Sequence, residues 1–167
     1  MKLLCGGQSG VDRAALDIAL ARGLAYGGWC PRGGWAEDFS APPGVLAKYS
    51  ALTETPLADP AQRTQWNVRD ADACLIVIAA GALAVSPGAA LARDLARRHR
   101  KPLFVADLCR PDSLERAAVW LSAQREAFGT SLVLNVGGPR ESEAPGIYRQ
   151  ALEVIRSLVE CVDTGKH

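Results

Sequence analysis

Short apolar runs alternate with stretches of helical spacing over most of the 167 residues of the chain. The apolar runs predict five strands, at Leu3 to Cys5, Leu24 to Tyr26, Ala73 to Ala79, Leu103 to Ala106 and Leu132 to Val136. The amphipathic stretches predict five helices, at Val11 to Arg22, Pro60 to Ala71, Ser86-Pro87 up to Lys101-Pro102, Asp112 to Ala127 and Pro145 to Val162. Strands that alternate with helices form parallel sheets covered on both faces. We therefore predict one α/β domain over residues 1–162, a doubly wound parallel sheet of about five strands, and a frayed tail at 163–167.

A long stretch from Gly27 to about Ala58 follows neither pattern. Loops of this length are usually functional or disordered, and the bulky residues Trp29, Trp35 and Phe39 argue against disorder. Two interpretations of the tryptophans stay open. They form the private core of the loop, or they cover a cleft and stack on a flat heterocycle.

The charge balance narrows the class of partner. Nineteen Lys and Arg residues face 18 Asp and Glu residues, a formal net charge of +1, so neither nucleic acid nor a membrane surface is expected as a partner. No apolar run approaches the ~20 residues of a membrane span. The five cysteines are scattered and only two histidines occur, so we expect a reduced, cytoplasmic, zinc-free protein with no metal site.

A glycine-rich turn, Gly6-Gly7-Gln8-Ser9-Gly10, joins the first strand to the first helix. Glycines allow close backbone approach to an anion, and a helix start offers unpaired N–H groups and a positive dipole end. Ser9 and Asp12 have the spacing of a capping box. The turn is either a phosphate site or a tight strand-to-helix connection that binds nothing.

In doubly wound sheets, ligands lie beyond the carboxyl ends of the strands. The polar and small residues expected at that edge, besides the glycine turn, are Arg13, Ala80, Gly81, Ser86, Gly88, Asn135, Gly138, Arg140 and Glu141. Arg140 could pair with a phosphate through its planar guanidinium, and Glu141 could accept from ring N–H groups. Ordinary turn chemistry and a solvated charge cluster before a helix are the alternatives.

One predicted helix carries a polar stripe. Arg63, Asn67 and Asp70 are spaced on one face beside Trp66. Such a stripe suits either the wall of a cleft or a contact between subunits.

Several common nucleotide and hydrolase sites are excluded. The turn is not G-x-G-x-x-G, and the predicted second strand ends without the acid that would bind a ribose. No Lys-Ser or Lys-Thr follows Gly10, so the turn is not a P-loop. With only His99 and His167 in the chain, no Ser-His-Asp set is expected.

Motifs along nearly the whole chain resemble the molybdenum-cofactor carrier proteins. They are Gly6 to Asp17, Gly27 to Gly33, Ala36 to Asp38, Glu54 to Pro56, Gln62 to Asp72 and Leu134 to Ser142. The resemblance implies a Rossmann-like fold, akin to that of the lysine-decarboxylase-like (LOG) superfamily and its nucleoside-monophosphate phosphoribohydrolases. It also implies a homo-oligomer, a tetramer, that holds molybdenum cofactor non-covalently and stores, protects or transfers it. Molybdoenzymes or cofactor-synthesis proteins would then be its partners.

For such a ligand, we expect the phosphate to be bound by the turn Gly6, Gly7, Gln8, Ser9 and Gly10, together with Ser86 and Gly88. Arg13 and Arg140 would add charge, Asn135 and Glu141 would meet the pterin edge next to Gly138, and Arg32 with Asp38 would close over it.

One departure bears on the alternative, a nucleotide-hydrolysing enzyme. The related phosphoribohydrolases carry P-G-G-x-G-T-x-x-E, whose glutamate takes part in catalysis, and Leu95 occupies that position here. A hydrolase would have to use Glu141, Asp38 or Asp94 instead. We therefore expect a carrier with no catalytic residues.

Overall fold

The computed structural model describes residues 1–79 and 86–164. These ranges contain six strands, which all pair in parallel, and five α-helices. The strands are β1 Lys2–Leu4, β2 Ala25–Cys30, β3 Leu52–Glu54, β4 Ala73–Ile78, β5 Leu103–Asp107 and β6 Val133–Gly137. The helices are α1 Val11–Arg22, α2 Pro60–Asp70, α3 Pro87–Arg98, α4 Ser113–Phe128 and α5 Ile147–Thr164. The predicted α/β class and parallel sheet are confirmed, and of the predicted tail, residues 165–167 lie outside the described part.

The strand order is β3-β2-β1-β6-β4-β5. If the strands are counted from β4, through β5 and β6 and then on to β1, the order becomes 2-1-3-4-5-6. That is a circular permutation of a common doubly wound order, in which ligands bind where the strand order reverses. Here the reversal lies between β4 and β6.

The helices cover the two faces of this sheet in separate groups. α2 and α3 pack against one face, and α1, α4 and α5 pack against the other. β4 is buried along its whole length, as expected of a central parallel strand. Because β4 leads to α3 and β6 leads to α5, the two connections diverge to opposite faces and leave a crevice between them.

Two predicted helix starts are confirmed. Asp59 caps α2 by accepting from the Ala61 amide, and Ser86 caps α3 by accepting from the Ala89 amide; a proline opens each helix. The predicted capping box of Ser9 and Asp12 is wrong. Gly10 is the N-cap of α1 and makes no side-chain cap, because Asp12 instead folds back and accepts from the Gly6 amide.

The long irregular stretch contains more sheet than the sequence predicts. β2 extends to Cys30 and pairs with β3, an edge strand of three residues that the prediction missed. Two glycines interrupt the apolar pattern of β2. At Gly28 a side chain is impossible, since a Cβ there would lie 2.3 Å from the Cys5 carbonyl oxygen. No helix in the described ranges is long and apolar enough to cross a membrane.

Candidate functional site

The crevice between β4 and β6 contains two adjoining cavities, of about 160 Å³ and about 20 Å³. Both are lined by Arg63 and Thr64 of α2, by Gly88 of α3 and by Gly138 beyond β6, so we treat them as one cleft. The larger cavity is also lined by Pro60, Ala61, Ser86, Pro87, Leu91, Arg140 and Glu143. The smaller cavity is also lined by Gly6, Asp12, Asn67, Ala89, Ala92, Asn135, Val136 and Gly137. The cleft therefore lies where the strand order predicts a ligand.

The amino terminus of α3 opens into this cleft. Ser86 is fully buried, and its hydroxyl satisfies one amide of the first turn. Gly88 leaves the approach open, since a Cβ there would meet no atom within 4 Å. First-turn amides lack helical acceptors, and the helix dipole is positive at this end. Ala80 and Gly81, predicted to lie on the same edge, fall outside the described residues.

Arg63 supplies a cation inside the cleft. Its Nη1 lies 3.0 Å from Asp12 Oδ2, and the two side chains are only 13% and 5% exposed. Burial raises the pKa of Asp12, and Arg63 together with the backbone amides offsets part of that rise. The guanidinium rests on Gly6, where a Cβ would lie 2.1 Å from Nη1. Asp12 therefore fixes Arg63 directly over Gly6, in the space that a side chain at residue 6 would occupy.

Asn67 anchors the same wall. Its side chain accepts from the Trp29 amide (2.8 Å) and donates to the Trp29 carbonyl (2.9 Å), which ties α2 to β2. Asp70, the third residue of the predicted stripe, accepts from the Trp29 indole N–H and does not line the cleft. Of the two interpretations of the stripe, Arg63 and Asn67 thus support a cleft wall.

Two amides of the glycine-rich turn and the first amide of α1 already have acceptors. The Gly6 amide donates to Asp12, the Ser9 amide donates to the Gln8 side chain, and the Val11 amide donates to the Pro139 carbonyl. Gln8 and Ser9 are buried. These amides are thus engaged within the protein, and a direct role of the turn in phosphate binding stays a prediction.

Glu37 joins two loops at the edge of the cleft, a role that the sequence did not reveal. Its carboxylate accepts from the Ser9 hydroxyl, and from the amide (3.2 Å) and hydroxyl (2.5 Å) of Ser142. Burial raises the pKa of Glu37, but the hydrogen bonds from Ser142 and Ser9 outweigh it and leave the pKa below its usual value. The Glu37 amide also donates to Gln8. The long loop after β2 is thus fixed to the turns that follow β1 and β6.

Arg13 and Asp38 form an ion pair with each other and do not line the cleft. Arg13 donates to both Asp38 oxygens, at 2.7 and 3.0 Å, and to the Gly7 carbonyl. Both residues line a separate cavity of about 380 Å³ between α1 and α5. Arg32 is exposed on the short 3-10 turn after β2 and lines neither cavity. Its predicted closing role with Asp38 stays a prediction.

Of the residues after β6, some line the cleft and others line the cavity between α1 and α5. Arg140 lines the cleft, with its Nε 4.0 Å from a Glu143 oxygen. Glu141 lines the cavity between α1 and α5, and both its oxygens accept amides of the α5 start, those of Gly146 (2.5 Å) and Tyr148 (2.9 Å). Gly138 passes so close to β4 that a Cβ would lie 2.3 Å from the Val77 carbonyl oxygen.

Asn135 is buried at the inner end of the cleft, with its Nδ2 3.9 Å from the Cys74 sulfur. Burial raises the pKa of the Cys74 thiol to about 11. Within residues 1–79 and 86–164, no cluster of three or more His, Cys, Asp or Glu side chains could hold a metal ion.

Comparison with known proteins agrees with this arrangement. Residues 3–159 match the circularly permutated YpsA SLOG family, as the permuted strand order would suggest. The chain is also similar to a crystal structure from Syntrophus aciditrophicus described as a putative molybdenum carrier protein. The two are 35% identical with a TM-score of 0.78, over 96% of this chain and 93% of that one. No protein of curated function matches the sequence. The resemblance seen in the motifs is thus confirmed, and the chain belongs to the circularly permutated YpsA SLOG family.

Proposed function

We propose that this protein binds and carries a phosphorylated pterin of the molybdenum-cofactor type, held non-covalently in the cleft between β4 and β6. The observation that carries the proposal is the meeting of the α3 amino terminus with two arginines, Arg63 and Arg140, on one lining. The similarity to a protein described as a molybdenum carrier supports the choice of ligand.

The lining suits the dianion of a phosphate ester. Asp12 already holds the Arg63 side chain in place, so Arg63 loses little conformational entropy when it binds a phosphate. Arg140 stands at the mouth, and the first turn of α3 adds amide donors and dipole charge. A volume of about 160 Å³ accommodates a phosphoryl group and part of what it is attached to. We therefore place the phosphate against Gly88, between the two arginines.

The thiol behind Asn135 belongs to the core and lines neither cavity of the cleft, which suits non-covalent carriage. Cys74 is buried, and a pKa of about 11 keeps it protonated at neutral pH. Metals are bound by the thiolate form, so Cys74 would leave the ligand's own dithiolene as the molybdenum donor. The cargo can then be released without breaking a protein–metal bond.

The hydrolase alternative receives less support from the side chains. It requires a free carboxylate near the ribose, and each of the three candidates is engaged elsewhere. Glu141 caps α5, Asp38 pairs with Arg13, and Asp94 pairs with Arg93 on the exposed side of α3. Leu95, which stands where the related phosphoribohydrolases have their catalytic glutamate, is buried against the sheet.

Native mass spectrometry of gently purified protein, with elemental analysis for molybdenum, tests the proposal. We expect a pterin-sized adduct with molybdenum and no turnover of nucleoside monophosphates. Release of base from a nucleoside monophosphate by protein that carries no adduct would contradict it.

Affinity measurements with matched variants locate the site. Arg140→Ala should weaken a phosphorylated pterin by about 1.5–3 kcal/mol, the net value of a hydrogen bond to a charged group. Arg156→Ala, which removes an exposed arginine of α5, is the control and should leave the affinity unchanged. Equal affinity of the Arg140→Ala variant and the native protein would remove Arg140 from the site.

The tetramer implied by the family resemblance is also a proposal. Light scattering of the purified protein should give four times the mass of the 17.7 kDa chain, and the mass of a single chain would refute it.

A further inference from the structure

A tryptophan stands exposed beside the cleft on a loop that is otherwise fixed. Trp35 is 37% exposed, an unusual state for a side chain of its size. It follows the 3-10 turn Arg32–Gly34 in the long loop after β2. An exposed indole calls for an explanation when the backbone that carries it is held firmly.

The backbone on either side of Trp35 is closely packed. A Cβ at Gly34 would lie 2.2 Å from the Pro43 carbonyl oxygen, and one at Gly44 would lie 2.0 Å from the Gly34 carbonyl oxygen. The Gly33 amide donates to Glu54 at 2.6 Å, and Glu37 is bonded to Ser9 and Ser142. The position of the indole is therefore set by contacts on both sides, and its exposure does not result from a loose loop.

Arg140 connects this indole to the cleft. The guanidinium carbon of Arg140 lies 5.6 Å from the centroid of the Trp35 ring, and the same side chain lines the larger cavity. A phosphate bound against Arg140 thus lies about one side chain away from the indole.

The size of the cleft leaves the rest of such a ligand outside. Pockets that enclose a whole drug-sized ligand have volumes of roughly 300–1,000 Å³, whereas the cavity here measures about 160 Å³. A phosphate ester that fills the cavity with its phosphate must place its remaining atoms over the mouth, next to Arg140.

We propose that Trp35 is a stacking surface for the flat ring of the ligand, and hence that the site selects phosphate esters of aromatic heterocycles over other phosphate esters. This inference rests on the proposed function, because it takes the phosphate position from it. An indole offers a large flat face at little cost in conformational freedom, and stacking on it tolerates any fused heterocycle. The ring thus supplies selectivity, while Arg63, Arg140 and α3 supply the attraction for phosphate.

Two ligands that differ only in the ring separate these contributions. Neopterin monophosphate carries a pterin on a phosphorylated three-carbon chain, and glycerol phosphate carries the same chain and phosphate without the ring. Calorimetric titration of the native protein, Trp35→Ala and Trp35→Phe compares them. We expect Trp35→Ala to weaken neopterin monophosphate about tenfold or more, while glycerol phosphate changes less than twofold and Trp35→Phe retains most of the affinity.

Tryptophan fluorescence gives a second readout. Neopterin monophosphate should quench a fraction of the emission of the native protein, and that fraction should fall in Trp35→Phe. Trp66→Phe is the matched control and should keep it, because Trp66 packs edge-on against Trp29 and lines neither cavity. Unchanged affinity of Trp35→Ala for neopterin monophosphate, or equal weakening of both ligands, would overturn the stacking role and leave the proposed function standing. A native protein that binds neither ligand would overturn both.

Discussion

Replacing Arg63 with methionine would keep most of the side-chain volume and remove the cation beside Asp12. Asp12 would retain the Gly6 amide, at 3.1 Å from Oδ2, but its carboxylate would remain 95% buried without a counter-charge. Removal of one partner of a buried ion pair typically costs 3–5 kcal/mol. We expect about 3 kcal/mol for Arg63→Met, near the low end, because the backbone amides still solvate the carboxylate.

The pH dependence of this loss has a definite sign. Burial already raises the folded-state pKa of Asp12, and Arg63 opposes that rise, so the pKa rises further in Arg63→Met. A carboxyl whose folded pKa exceeds its unfolded value of about 3.9 favours the folded state at low pH, and that stability is lost as the pH rises through the folded pKa. Arg63→Met should therefore be closer in stability to the native protein at pH 5 than at pH 7.5.

Urea unfolding at these two pH values measures both effects, provided that the slopes agree among variants. Adding Asp12→Asn to Arg63→Met removes the unpaired charge and should recover at least half of the loss at pH 7.5. Arg69→Met is the control, because Arg69 is exposed on the same helix and its pair with Asp70 is worth under about 1 kcal/mol. A double variant no more stable than Arg63→Met, or a loss under about 1 kcal/mol, would show that Arg63 does not stabilise a charged Asp12 in the fold.

Three further predictions follow from packing and protonation. Gly138→Ala should lower the free energy of unfolding by about 2–3 kcal/mol, because its Cβ would overlap β4. Gly88→Ala should stay within about 1 kcal/mol of the native protein. Thermal melts check both, and equal melting temperatures of the two variants would contradict the expectation. For Glu37 the folded pKa is lowered, so its contribution exists above the unfolded pKa of about 4.3 and is lost as the pH falls through the folded value; in urea titrations Glu37→Gln should show a shallower stability loss on acidification, and an unchanged acid profile would contradict this. Cys30 and Cys74, whose pKa burial raises to about 11, should resist a thiol reagent at pH 8 until urea unfolds the protein, and rapid labelling of either one in the folded state would contradict their burial.

The sequence predicts well the features that depend on local physics. The bounds of α1 are those read from the apolar spacing, and the Asp-Pro and Ser-Pro pairs at residues 59–60 and 86–87 open helices as their capping chemistry requires. The edge strand β3 was missed because its three residues are too few to show an alternating pattern. Gly27 and Gly28 hide the second half of β2 for a similar reason.

The interior of the site depends on partners that lie far apart in the chain. Arg63 meets Asp12 across 51 positions, and Glu37 meets Ser142 across 105, so no local pattern could reveal either contact. The helical stripe of Arg63 and Asn67 was the available signal, but it could not distinguish a cleft wall from a subunit contact. The contact of Glu141 with the ligand stays a prediction, and its capping of α5 was not foreseen, although a carboxylate placed just before a helix can satisfy the amides of its first turn.

A crystal structure of the protein with neopterin monophosphate bound would show directly whether the cleft between β4 and β6 holds the phosphate. We predict phosphate density at the amino terminus of α3, against Gly88 and within hydrogen-bonding distance of Arg63 and Arg140. Phosphate bound instead at the turn from Gly6 to Gly10, or in the cavity between α1 and α5, would contradict the assignment of the cleft.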